Sequence, residues 1–307
     1  MKKIVLTLII CAFTLISCKE TVETTSQVSE FLRPEIEPKQ PKSMLSNTFK
    51  DYWYAGEAEI TSYKLEQERY GEIRDGEAVL VFVTEDFLPK VQVKADNYSE
   101  NNIPVLKLNA TKKFNTGIYP YSIMQSTFFP VANNEHAIKI SASVQEWCGH
   151  VYTQLNNREQ FEISSNSYFQ GEADQNFNIE ETWTENELWT KLRIDPNSLP
   201  TGEISIVPSL EYTRLKHKTI KAYNAFASLE NGTYTLNYPE LNRSLKINFN
   251  TTFPFEILSW EETSITGYGA SAKTLTTKAT KLQTIKSAYW NKNTNADESL
   301  RTTLKLK

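Results

Sequence analysis

Glu146-Trp147-Cys148-Gly149-His150 is the segment with the densest reactive chemistry in the chain. On a β-strand alternate residues share a face, which would point Glu146, Cys148 and His150 the same way. A His beside a thiol can lower its pKa and activate it as a nucleophile, and Cys, His and carboxylate are all metal-ligand types. Neighbours at i and i+2 lie roughly 6.5–7 Å apart on one strand, so the side chains would have to lean together. Gly149 also admits a bulge that would change the facing. The alternative is a structural Cys, with His150 satisfied by a backbone group. His136 and His217 make no metal-binding spacing with each other or with His150. No Gly-rich phosphate loop, nucleophile elbow or zinc-binding His pair is present, so no cofactor or metal is expected. Glu85-Asp86 and Glu261-Glu262 are adjacent pairs, which a strand would point to opposite faces.

Binding chemistry has two further sources. Tyr119, Tyr121 and Ile123 alternate on one face and Phe161 and Ile163 on another, so a curved sheet lined with these rings could hold an apolar ligand. Core packing is the competing explanation. Charge is uneven: residues 271–307 hold eight Lys and Arg against Asp297 and Glu298, with Lys278, Lys281 and Lys286 among them. Arg214, Lys216 and Lys218 form a second basic stripe if that segment is a strand. Such patches could orient a body against anionic lipid, or simply keep the wet faces of exposed strands from pairing.

The elements that must carry these residues are mainly strands. Of the 307 residues, 39% are apolar and 23% charged, enough to bury a sizeable core. The formal charge of −4 and pI near 5.6 argue against a nucleic-acid binder. Runs rich in Val, Ile, Thr, Tyr and Phe predict strands over 78–87, 105–110, 119–129, 137–152 and 160–169, with a turn at Arg74-Asp75-Gly76. Further strands are predicted over 203–216, 219–229, 233–238, 245–249, 255–263 and 275–290. Asn231-Gly232 is the best hairpin turn. One helix is expected: Thr184 and Glu187 have capping-box spacing, Leu188, Trp189 and Leu192 share a face, and Asp195-Pro196 ends the run. The pattern predicts a mainly β protein, a large curved antiparallel sheet or wide barrel with one short helix packed on it. Residues 51–307 form a single domain in this reading, with a weak seam near 171–200.

The N-terminus sets location. Met1-Lys2-Lys3 and the apolar run from Ile4 to Ile16 have the build of a signal peptide, too short for the about 20 residues of a membrane span. Leu15-Ile16-Ser17-Cys18 resembles the lipobox of bacterial lipoproteins, which implies cleavage after residue 17 and lipidation of Cys18. Lys19 follows where the familiar retention signal for the inner membrane has Asp, so the outer membrane is expected. Residues 18–50, with Pro34, Pro38 and Pro41, have the composition of a flexible tether. The mature chain would keep Cys18 and Cys148 and form no intrachain disulfide.

The runs at 52–89, 114–131 (FNTGIYPYSIMQSTFFPV), 146–158 (EWCGHVYTQLNNR) and 274–290 carry a wider resemblance to a family of bacterial lipoproteins often labelled "septum formation inhibitor Maf". The lipoprotein resemblance implies an envelope location. The label implies a nucleotide pyrophosphatase with an α/β fold, a phosphate loop and metal-binding acids, motifs this sequence lacks. The leading expectation is an outer-membrane-anchored lipoprotein that binds a lipid, a glycan or an envelope partner without catalysis. The alternatives are an envelope enzyme using Cys148 and His150, and the pyrophosphatase of the label.

Overall fold

The computed structural model describes residues 45–132, 135–267 and 269–307. The signal segment 1–17, Cys18 and most of the expected tether lie outside these residues. In chain order the elements are α1 (Asn47–Trp53), β1 (Ala58–Arg69), β2 (Glu72–Leu88), β3 (Val93–Lys94), β4 (Ile103–Thr116), β5 (Tyr119–Pro130), β6 (Lys139–Glu146), β7 (Gly149–Asn157), β8 (Phe161–Ser167) and β9 (Gln175–Ile179). There follow β10 (Trp183–Thr184), α2 (Glu185–Ile194), β11 (Gly202–Val207), α3 (Leu210–Leu215), β12 (Tyr223–Glu230), β13 (Thr233–Tyr238), β14 (Arg243–Phe249), β15 (Ile257–Thr266), β16 (Lys273–Ser287) and α4 (Ser299–Thr303).

All the strands join one sheet, ordered β10-β11-β12-β13-β14-β15-β16-β1-β2-β4-β5-β6-β7-β8-β9, with β3 pairing β2 off this path. Every pairing is antiparallel except β10 with β11. The two edge strands, β9 and β10, are not paired, yet they are consecutive in the chain. Four residue steps separate Ile179 from Trp183, a reach of at most about 14 Å. The sheet must therefore curl until its edges nearly meet, giving an open, barrel-like wall. The seam anticipated near 171–200 is where those edges approach and where the chain turns inward as α2.

The predicted mainly β class holds, with corrections in detail. β1 was not anticipated, because its sequence AEITSYKLEQER is dense in charge. Its inward Glu59, Thr61 and Gln67 are nonetheless buried. The real turn is Tyr70-Gly71, and Arg74-Asp75-Gly76 lies inside β2. The expected strand over 203–216 is β11 followed by α3: Pro208 cannot donate to a ladder, and Ser209 Oγ caps the helix by accepting from Tyr212 N. The expected strand over 137–152 is two strands with a tight turn between them. Among the described residues three further short α-helices and four 3-10 turns join the one predicted, and α1 starts at Asn47, inside the span 18–50 read as tether. Asn231-Gly232 behaves as anticipated, both residues adopting positive φ in the β12–β13 hairpin.

Helix α2 fills the interior. Its capping box forms, with Thr184 and Glu187 bonding reciprocally. Leu188 and Leu192 are buried, and Trp189 meets Trp260 edge-on at 5.2 Å. The polar side is buried too, because its charges find partners on opposite stretches of wall. Arg193 makes a bidentate pair with Glu59 of β1 at 2.6 and 2.7 Å. Glu185 pairs with Arg243 of β14 at 2.5 and 2.8 Å, and accepts from Tyr238 Oη. Glu187 accepts from Ala137 N at 2.7 Å and lies 2.9 Å from His136 Nδ1. Asn186 donates to Gln125 of β5 and accepts from Leu210 N of α3.

Removing one member of a buried pair strands the other charge, so Arg193→Met is expected to lower stability by about 3–5 kcal/mol. The double variant Arg193→Met/Glu59→Leu should recover most of that loss; urea denaturation checks both. His136 supplies a pH dependence. Burial alone would lower its pKa, but the hydrogen bond and charge of Glu187 outweigh burial and raise it. A raised folded-state pKa favours the native state fully below the unfolded value of about 6.5, and that increment is lost as pH rises through the folded value. Unfolding free energy measured from pH 5 to pH 9 should carry this fall, and His136→Gln should remove it.

Candidate functional site

In an antiparallel meander every second turn falls at the same end. The turns β1–β2, β4–β5, β6–β7 and β8–β9 therefore lie side by side at the end opposite the entry of the chain through α1. Each of these turns exposes one large aromatic or aliphatic side chain: Tyr70 is 57% exposed, Ile118 81%, Trp147 67% and Tyr168 70%. They are linked rather than scattered. Tyr70 Oη lies 2.9 Å from Tyr121 Oη, the Tyr119 and Tyr121 rings are 6.0 Å apart, and Tyr119 is 6.4 Å from Trp147. Tyr168 rests on Gly149: a Cβ at that glycine would sit 2.7 Å from the Tyr168 ring. The result is an aromatic ridge across four hairpins.

Buried groups hold the ridge in place. The Arg69 guanidinium lies 4.1 Å from the Tyr70 ring centre, donates to Tyr70 and Tyr121 hydroxyls, and donates to Leu215 O of α3 at 2.6 Å. At the other side Arg214 of α3 lies 4.1 Å over Phe169 and pairs with Glu172, which also contacts His217 at 2.8 Å. Phe114 stacks on Tyr121 with centroids 4.9 Å apart. The rings are thus presented on preordered backbone, which reduces the entropy lost when a ligand stacks on them.

Glu146, Cys148 and His150 do not share a strand face. Trp147 and Cys148 form the two-residue turn between β6 and β7, and the reversal pairs Glu146 with Gly149 and Gln145 with His150. Glu146 lies in line with the inward Ala142 and Val144, and His150 with the exposed Gln145. Cys148 is exposed, and Glu146 Oε2 accepts from its backbone N at 2.7 Å. Hydrogen bonding to Glu146 and the charge of that carboxylate push the thiol pKa up, the opposite of activation. Among the described residues no group of three His, Cys, Asp or Glu side chains is placed to hold a metal ion.

Of the aromatic candidates, Tyr119 and Tyr121 join the ridge, while Phe161 is fully buried in a separate core cluster with Leu155 and Ile163. The two basic stripes disperse. Arg214 and Lys216 belong to α3 and its cap, with Lys216 paired to Glu68 at 2.5 Å, and Lys218 lies in the loop beyond. Lys278 pairs with Glu261, Lys281 with Glu256, and Lys286 donates to Tyr52 O. Opposite charge on neighbouring strands neutralises a stripe that looks basic when one strand is considered alone.

The interior offers little space. A cavity between α2, α3 and the wall, lined by Lys112, Gln125, Glu185, Glu211, Trp260 and Glu262, measures about 50 Å³, which suits a few waters. Burial pushes the Glu211 carboxyl above its usual range even against Lys112 at 2.7 Å. Outside the wall, a groove of about 530 Å³ runs between the C-terminal segment and the sheet, floored by Ile60, Val81, Ile285 and Leu304.

No family model matches the chain, and no curated protein matches it. Among solved structures, a β-barrel-like protein of the domain of unknown function DUF1849 from Brucella abortus aligns at 6% identity and a TM-score of 0.43, over 75% of this chain and 97% of that one. A porin-like protein from Bacteroides uniformis aligns at 8% identity and a TM-score of 0.23, over 73% and 95%.

The site chemistry has a direct check. Glu146→Gln should speed alkylation of Cys148 by iodoacetamide near pH 7.5, because it removes the charge that disfavours the thiolate. The wild-type thiol should react no faster than a free model thiol under the same conditions. A wild-type rate well above that would restore the nucleophile reading.

Proposed function

We propose that this protein is an outer-membrane-anchored envelope lipoprotein that binds a ligand or partner without catalysis, using the hairpin end of its sheet. The observation that carries the reading is the aromatic ridge of Tyr70, Tyr119, Trp147 and Tyr168. Exposed Trp and Tyr on a prefixed scaffold are the side chains that dominate contact energy in recognition surfaces. The small volume of the cavity beside α2, about 50 Å³, supports a surface role over a binding site at that position. The raised thiol pKa of Cys148 favours binding over thiol catalysis. The anchor rests on the lipobox at Leu15–Cys18, and multiple acyl chains there would hold the body stably at a membrane.

Two measurements test this reading. Radioactive palmitate should label the wild type, which should fractionate with outer membranes, and Cys18→Ala should lose the label. Cross-linking in intact cells should then retain an envelope component on the wild type and lose it in Trp147→Ala. Absence of palmitate from the wild type overturns the anchor. Equal retention by Trp147→Ala overturns the site.

A further inference from the structure

We propose that the free edge of β9 is a strand-addition site for an extended segment of another protein, one that alternates apolar and polar residues and carries lysine or arginine at its ends. The site is separate from the aromatic ridge and goes beyond the binding reading given above.

The backbone selects the form of the ligand. β9 pairs with β8 through five successive residues without a register shift, from Phe161 with Ile179 to Ser165 with Gln175. Among the described residues no strand lies on its other side. The chain that returns from β9 runs beside β11 instead: Trp183 pairs with Ile206, and Thr182 Oγ1 donates to Ser205 O at 2.8 Å. In an antiparallel pair alternate residues turn their N–H and C=O groups away from the partner. On β9 those groups form a regular row that an extended chain satisfies and a helix does not. Edges are ordinarily blunted by lysine, proline or a bulge, and Gln175-Asn176-Phe177-Asn178-Ile179 has none of these.

The side chains select alternation. Phe177 and Ile179 face inward and pack on the cluster that holds Leu155, Phe161 and Ile163, yet both stay partly exposed. Asn176 and Asn178 face outward and are exposed. A strand added beside β9 covers the two apolar side chains with its own inward residues, as a cross-strand neighbour does.

Charge selects the ends. Between Arg158 and Lys191 the chain holds eight Asp and Glu and no Lys or Arg. Asp174 stands just before β9, and Glu180 and Glu181 just after it. All three are exposed, and among the described residues none is in an ion pair. Arg214 and His217, at the adjoining tip, are engaged by Glu172. Elsewhere on the wall a neighbouring strand supplies the opposite charge, as Glu261 does for Lys278. β9 lacks that neighbour on one side, so its carboxylates attract a segment with cationic ends. They also disfavour a second copy of this chain, because antiparallel pairing of two β9 strands about Phe177 sets Asp174 against Glu180.

The test uses the full mature protein in detergent and a fluorescein-labelled peptide in which valine and threonine alternate between lysine ends. Anisotropy should show saturable binding that weakens as salt rises, and hydrogen exchange should slow at amides within 175–179 and on no other strand. Replacing the peptide lysines by glutamates should abolish binding, and Glu180→Lys/Glu181→Lys should reverse that preference; both positions are exposed, so the fold is kept. N-methylating the alternating stretch preserves the peptide's charge and side chains but removes its donors. It should weaken binding about tenfold or more, the scale of two or more lost hydrogen bonds. Equal binding by the methylated peptide overturns strand addition. No binding of the lysine peptide at millimolar concentration overturns the site. Exchange protection of 175–179 that rises with protein concentration in the absence of peptide assigns the edge to a second copy and overturns the proposed occupant. Trp147→Ala should bind the peptide as the wild type does, whatever becomes of the ridge; loss of binding there overturns the assignment to β9.

Discussion

A polar helix threaded through the inside of a β wall is stable only if every buried charge on it is matched, and this constraint organises the rest of the molecule. Glu185, Glu187 and Arg193 leave water when α2 enters the sheet, a transfer that costs several kcal/mol per ion before compensation. Compensation comes from distant stretches of wall: Arg243 on β14, Glu59 on β1, and His136 with Ala137 N beside β6. These partners do not approach one another unless the sheet is curled around the helix. The ion pairs thus define the curvature of the wall as well as the position of the helix. They also account for the unusual composition of β1 and β14, whose inward residues include Glu59 and Arg243.

Filling the interior this way moves recognition to the outside. A barrel of comparable strand number with an empty lumen would offer a ligand cavity; here the space beside α2 is about 50 Å³. What the fold exposes is its set of turns. The meander delivers four consecutive hairpins to one end, and α3 links the first to the last through Arg69 with Leu215 O and Arg214 with Glu172. The tips are therefore held to a common interior, and the aromatic ridge has the same order as the core that supports it.

Gly149 illustrates how local and global requirements meet in this ridge. Its φ of 158° already disfavours a residue with a side chain, and such a side chain would also occupy the space of the Tyr168 ring. The glycine next to Cys148 serves the packing of an aromatic residue from another hairpin and has no role in activating the thiol. The same turn reverses the chain between Glu146 and His150, which separates the carboxylate from the imidazole across the two faces of the sheet.

Much of this protein was written in local sequence. Alternating β-branched and aromatic runs specify strands, Asn231-Gly232 specifies a hairpin, and Thr184 with Glu187 specifies the start of α2, because each depends on contacts within a few residues. The candidates Tyr119 and Tyr121 were legible for the same reason, as alternate positions on one strand. Tertiary structure alone decided what depended on partners far away in the chain. The burial of β1 required Arg193, the ion pairing of Lys278 and Lys281 required Glu261 and Glu256 on or near neighbouring strands, and the exposure of Cys148 required a reversal that Ala137–Tyr152 did not announce. Tyr70, Trp147 and Tyr168 are separated by 77 and 21 residues, and nothing in their local sequence joins them. They become one surface because pairing eight strands in order stacks their turns, and strand pairing is a non-local interaction that no window of sequence contains.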